Sequence, residues 1–197
     1  YVGHTSSASL DNVVLAYGGG TTRIEGGFAD FNPVEVHQGD LRVANSRIEN
    51  NANGSDSSTH PTRAGRGIND VGSIFVLGAQ PVLVDNIFIQ NQGPVISANV
   101  GSLNSEELVD YGRSTGLGEF KQDKVTNRGP LVIGNRLGDN EFNGLLVRGG
   151  QLNTEGWWDD TDIVHIVRDE IQIPDHQHFG GLRLASAPDQ SLVVKLT

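Results

Sequence analysis

"PVLVDNIFIQNQ" (81–92) decides the fold, because it can be laid on two other stretches, "DLRVANSRIENN" (40–51) and "PLVIGNRLGDNE" (130–141). In that overlay Asn45, Asn86 and Asn135 fall together, and Asn50, Asn91 and Asn140 fall together five residues later. An apolar residue stands between the two asparagines: Ile48, Ile89 and, one place early in the third copy, Leu137. Alternating apolar pairs precede them: Leu41 and Val43, Val82 and Val84, Leu131 and Ile133. Separations of 41 and 49 residues are the signature of stacked repeats. WD40-type propellers have a comparable period, but their Trp-Asp and Gly-His positions are missing, and leucine-rich repeats need a shorter one.

Around these copies the chain alternates short Val/Ile/Leu-rich strands with Asn/Gly corners, as in "VEVHQGDLRVANSRIENN" (34–51). The 26 glycines and frequent asparagines fit corners, because both residues tolerate left-handed backbone. A chain that turns every five to eight residues and keeps its apolar side chains inward winds into stacked coils with parallel sheets. Asparagines at matching corners can then bond along the stack, as they do in cross-β ladders. The expected fold is all-β: a right-handed parallel β-helix, a solenoid with long irregular loops, spanning 1–197 as a single segment of a longer chain. Two polar, Gly-rich loops interrupt it, at 50–70 and 101–129, and "SEELVDYG" (105–112) is read as one short helical turn. Loops of that length in compact folds commonly serve function or interaction.

Composition narrows the partners. The formal charge is −10, from 24 acidic against 14 basic residues, and no basic run occurs, which argues against nucleic acid and anionic membrane. Without cysteine there is no disulfide and no thiolate metal site. The chain begins "YVGHTSSASL" with no initiator methionine, and is read as a processed piece of something larger. No apolar run is long enough to span a bilayer, so membrane insertion is not expected. There is no Walker P-loop, because "YGGGTT" lacks the following lysine, and no G-x-S-x-G elbow. "NGS" (53–55) fits a glycosylation acceptor, which matters only in a eukaryotic secretory setting.

Three longer stretches carry a family likeness: "RGINDVGSIFVLGAQPVLVDNIFIQNQGPVISANVGSLN" (66–104), "GPLVIGNRLGDNEFNGLLVRGG" (129–150) and "WWDDTDIVHIVRDEIQIPDHQHFGGLRLASAPDQSLVVKL" (157–196). They resemble the β-helical segments, pectate-lyase-like in fold, of giant secreted or cell-surface proteins of planctomycetes and related environmental bacteria. The resemblance covers roughly residues 20 to 197. It implies an extracellular or cell-surface setting and structural or adhesive work. It brings no catalytic residue set.

The densest chemistry lies in "GWWDDTDIVHIVRDEIQIPDHQHFGG" (156–181). Asp159, Asp160 and Asp162 form an oxygen-rich turn for which calcium is the candidate cofactor, although neither the EF-hand ligand order nor the nonapeptide repeat is present. Asp139, Asn140 and Glu141 make a second such turn. His176 and His178 would point the same way on an extended chain, the spacing of a two-histidine chelate, with a third ligand to come from Asp175 or from an adjacent coil. His165 is expected to be a half-buried histidine with satisfied nitrogens. Trp157 and Trp158 are expected to pack as a lid over a coil edge rather than stack on sugar rings.

An enzyme acting on acidic polysaccharide is the competing class. Asp159, Asp160, Asp162, Asp169 and Glu170 could supply a carboxylate pair, and Arg168 or Arg183 a cation. These acids crowd one coil, however, and the negative charge repels an anionic polymer. The sequence favours a non-catalytic structural or adhesive module. Its partners would be other segments or copies of the same protein, with polysaccharide the alternative. "SLVVKLT" (191–197) still alternates at the C-terminus, which points to continuation by more chain or end-to-end assembly into a fibre or coat.

Overall fold

The computed structural model describes residues 1–24, 27–54, 66–112, 127–175, 177 and 180–197. The molecule is all-β, built on three parallel sheets. The first sheet is β1 (Ser7–Asp11), β6 (Asp40–Ala44), β9 (Val82–Val84) and β14 (Leu131–Ile133), in that order. The second runs from β2 (Val14–Ala16) through β7 (Arg47–Glu49) and β10 (Ile87–Ile89) to β15 (Arg136–Gly138). The third holds β5 (Val34–His37), β8 (Ile74–Leu77), β11 (Pro94–Asn99), β16 (Phe142–Arg148), β19 (His165–Val167) and β22 (Val194–Leu196). From β6 to β11 consecutive strands enter sheets one, two and three in turn, and each pairs with its counterpart one circuit later. Smaller pairs decorate this frame: β3 (Gly20–Ile24) with β4 (Gly27–Phe31), β12 (Glu107–Leu108) with β13 (Asn127–Arg128), β17 (Gly150–Gln151) with β20 (Ile171–Gln172), and β18 (Gly156–Trp158) with β21 (Leu182–Leu184). Among the described residues no helix is long and apolar enough to cross a membrane.

Left-handed corners keep the strands short. Between sheets one and two the bend falls on Asn12, Asn45, Asp85 and Gly134, with φ of 57°, 51°, 56° and 69°. Asn, Asp and Gly enter this region at least cost, so the sequence marks each corner chemically. Gly134 has a further reason, since a Cβ there would lie 2.2 Å from Asp85 Oδ1.

Inward rows follow from the register. Leu10, Val43, Leu83 and Val132 line sheet one. Leu15, Ile48, Phe88 and Leu137 line sheet two. Val36, Val76, Ala98, Val147 and Val167 form one of the two rows of sheet three. These rows meet in one continuous apolar core. Complete burial of a Leu, Ile or Phe side chain contributes about 1.5–3 kcal/mol, so stacking like on like is the main stabilising term.

Two asparagine ladders run beside this core. In one, the amide N–H groups of Asn51 and Asn91 donate to the Oδ1 atoms of Asn91 and Asn140 (3.1 and 3.0 Å). In the other, those of Ser46 and Asn86 donate to the Oδ1 atoms of Asn86 and Asn135 (both 3.0 Å). Each side-chain Nδ2 reaches back to a carbonyl of the preceding coil: Asn51 to Leu15, Asn86 to Val43, Asn91 to Ile48, Asn135 to Leu83 and Asn140 to Phe88.

This register corrects the sequence overlay by one residue in its first copy. Val43 pairs with Leu83 and Arg47 with Ile87, so Ser46, not Asn45, is level with Asn86, and Asn51, not Asn50, with Asn91. The first separation is therefore 40 residues, and the second remains 49. Leu137 is not early: it sits level with Phe88 and Ile48, while Ile89 faces outward. A one-residue slip exchanges the two faces of a strand, which is why Val82, Val84 and Ile133 are outward residues. The overlay slipped because corners and ladders both favour asparagine, and "ENN" offers one of each. The helical turn expected in "SEELVDYG" is also corrected, since β12 forms there and pairs antiparallel with β13; a 3-10 turn lies just before it, at Val100–Ser102.

The outer faces are partly covered. Asp110, in the segment after that turn, accepts two hydrogen bonds from Arg42 (2.7 and 3.1 Å), whose Nη1 also meets Asp11 at 2.8 Å. Leu131, in the outward row of sheet one, is also buried.

Candidate functional site

Sheet one ends at β14, and an edge strand presents unpaired amides. Two aspartates of the "WWDDTD" turn, Asp160 and Asp162, lie along that edge, and Asp159 bonds to β13 just before it. Asp159 Oδ1 accepts the Arg128 amide (3.1 Å), Asp160 Oδ1 accepts the Val132 amide (3.3 Å) and the Asn127 side chain, and Asp162 Oδ2 accepts the Gly134 amide (2.9 Å). The carboxylates thus stand where the next strand's carbonyls would be. Burial, reinforced by the charge of Asp159, raises the Asp160 carboxyl well above its ordinary range, against the opposing Val132 amide and Asn127. Burial also raises Asp159, with the Arg128 amide and charge opposing.

Among the described residues no three His, Asp or Glu side chains are gathered in a metal-binding group. His176 and His178 lie outside the described residues. Asp175 Oδ1 accepts the Gln177 amide at 2.9 Å.

The two tryptophans divide their work. Trp157 carries the guanidinium of Arg128 at 4.4 Å and that of Arg183 at 4.9 Å from its ring centroid, so cations hold the surface on which a sugar would stack. Arg183 is in turn paired with Glu155 at 2.8 Å. Trp158 turns inward and stacks on His165, with centroids 5.3 Å apart and planes 11° off parallel. His165 was expected half-buried and satisfied; it is wholly buried, and neither ring nitrogen has a hydrogen-bond partner. Strand parity explains this: level with Leu145 and Val194, residue 165 must face the core.

Sequence reading missed a second polar cluster, on the outer face of sheet three. Glu35 Oε1 accepts the Asn32 amide (3.0 Å) and the side chains of Asn32 (3.4 Å) and Asn69 (3.0 Å), and its Oε2 lies 3.7 Å from His37 Nε2. Asn32 Oδ1 accepts the amides of Gly54 (2.7 Å) and Gly72 (3.1 Å), tying distant stretches of chain to β5. Three strands further on, Arg148 donates to Ser97 Oγ (2.9 Å) and the Val76 carbonyl (2.5 Å), and lies 4.1 Å over Phe75. Burial lowers its pKa to about 10, against the charge of Asp70, and the guanidinium stays protonated at neutral pH. The alternation of "VEVH" identifies Glu35 and His37 as outward. Nothing local signals that residues 66–73 return to cover them.

Compared with known proteins, the chain matches no protein-family model, no curated protein and no solved structure.

Proposed function

We propose that the chain is a right-handed parallel β-helix working as a non-catalytic structural or adhesive module of an extracellular or cell-surface protein. The observation that carries this reading is the pair of asparagine ladders. Asn51, Asn86, Asn91 and Asn140 are all buried, and their side chains are engaged in bonds between coils. Buried polar networks in which each member is satisfied fix register and rigidity, which is what a scaffold needs. The order in which strands enter the sheets supports the solenoid, and parallel crossover connections are overwhelmingly right-handed.

The test is incubation of the chain with a panel of neutral and uronate-containing polysaccharides, following unsaturated and reducing ends alongside binding on a glycan array. A scaffold releases neither product. Sustained release would overturn the proposal in favour of a lyase or hydrolase. Saturable glycan binding without release would define the adhesive partner.

A further inference from the structure

His165 occupies a place where the same row elsewhere holds Val34, Ile74, Ile96, Leu145 and Val194. The imidazole is 0% exposed, and Nδ1, Nε2 and the neighbouring Trp158 Nε1 all lack hydrogen-bond partners. A neutral ring tolerates this setting, but an imidazolium would be a buried charge without a counter-ion.

Among the described residues the surrounding elements supply none. On β16 the charged residue is Arg148, on the opposite face against Phe75 and Ser97. On β22 it is Lys195, level with the outward Ile166. Arg168, next along from β19, lies over Phe142. On β21 Arg183 is held by Trp157 and Glu155. Asp159, Asp160 and Asp162 are turned to the amides of Arg128, Val132 and Gly134. The Ile163 carbonyl is the polar atom acting on the ring, without reaching hydrogen-bond geometry.

A second observation limits what would move. The ladders stop before this coil: Asn140 turns its Nδ2 to Asn143 (2.8 Å) within its own loop, and Asn135 ends the other. The described residues from 150 onward join the stack through short strand pairs and through the bonds of Asp159, Asp160 and Asp162 to the Arg128, Val132 and Gly134 amides, with no asparagine rung among them.

We propose that His165 is an acid-sensitive latch: its protonation releases β18, β19, β21 and β22 from the stack, while the coils joined by asparagine ladders stay closed. The sign follows from burial, which pushes the imidazole from 6.5 down to about 4. A depressed base binds its proton more weakly in the closed form, so closure weakens as pH falls below 6.5 and the loss is complete below about 4. Linkage for one proton raises the opening constant about 30-fold at pH 5 and about 150-fold at pH 4 relative to pH 7.5. Asp160 works in the opposite sense, since a raised carboxyl favours the closed form as pH falls.

The test uses the full chain, with amide hydrogen exchange from pH 7.5 to 4 corrected for intrinsic rates. The expected result is loss of protection in β18, β19 and β22 with β7, β10 and β15 unchanged, and its suppression in His165→Phe, which keeps an aromatic ring against Trp158. An identical acid transition in His165→Phe would overturn the proposal. Should that variant fail to fold, NMR titration of His165 in the unmodified chain decides: titration below pH 5 accompanied by opening supports the latch, and ordinary titration near 6.5 in a closed chain overturns it.

Discussion

Asn91→Ala probes the ladder at its centre. Asn91 Oδ1 accepts the Asn51 amide at 3.1 Å and the Asn51 side chain at 2.9 Å, and Nδ2 donates to the Ile48 carbonyl and to Asn140 Oδ1, both at 2.9 Å. Two of these partners have a second bond: Asn140 Oδ1 keeps the Asn91 amide, and Asn51 Nδ2 keeps the Leu15 carbonyl. The Asn51 amide and the Ile48 carbonyl lose the side-chain partners described here, in a site only 2% exposed at Asn91. At about 1–3 kcal/mol for each buried group left unpaired, the expected destabilisation is about 3–5 kcal/mol. Asn91→Asp preserves the volume but sets carboxylate lone pairs against two acceptors, and should cost at least as much at neutral pH. Asn45→Gly is the control: Asn45 is an exposed corner with φ of 51°, so its loss should stay within about 1 kcal/mol. Urea unfolding followed by circular dichroism reads all three. A cost below about 1 kcal/mol for Asn91→Ala, or equal costs at 45 and 91, would refute the ladder argument.

Other perturbations test separate joints. Gly134→Ala puts a methyl 2.2 Å from Asp85 Oδ1 at φ of 69° and should cost about 2–4 kcal/mol by thermal unfolding, with Asp85→Ala in the same chain restoring all but about 1 kcal/mol. Burial works against the Asp110 charge, but Arg42 and the Gly112 amide hold its carboxyl below the ordinary value. Its clamp therefore contributes stability above the unfolded carboxylate range and loses it as pH falls through the depressed folded value. Asp110→Asn should abolish that loss, which sets in as pH falls below the ordinary carboxylate range of about 4, and speed proteolysis near residue 110. Asp160 has the opposite sign. Its raised carboxyl weakens the fold once ionised, so Asp160→Asn should gain on the unmodified chain as pH rises from 5 to 8, and a pH-independent difference would contradict the burial argument.

The sequence made the all-β class legible, because corner residues and short alternating runs are local signals. It also showed that asparagines recur at coil spacing. It could not distinguish Asn45 from Ser46, or Asn50 from Asn51, because the φ of a corner is invisible until strands are paired. His165 failed for a different reason: a histidine is read as polar, whereas its place in an inward row is set by neighbours on two other strands. The charge density of the "DDTD" turn was legible, but not the backbone amides of Arg128, Val132 and Gly134 that its carboxylates accept, because they come from chain about 30 residues away. Glu35 and Arg148 were missed because their cover comes from chain remote in sequence.

Register between coils is the central claim, and disulfide trapping measures it directly in a chain without cysteine. Arg47 and Ile87 are partners on adjacent parallel strands, where Cα atoms about 4.8 Å apart suit a disulfide. The account predicts that Arg47→Cys with Ile87→Cys closes on mild oxidation, while Arg47→Cys with Phe88→Cys, the pair a literal overlay of the repeats would choose, stays reduced. Closure of the second pair in preference to the first would contradict it.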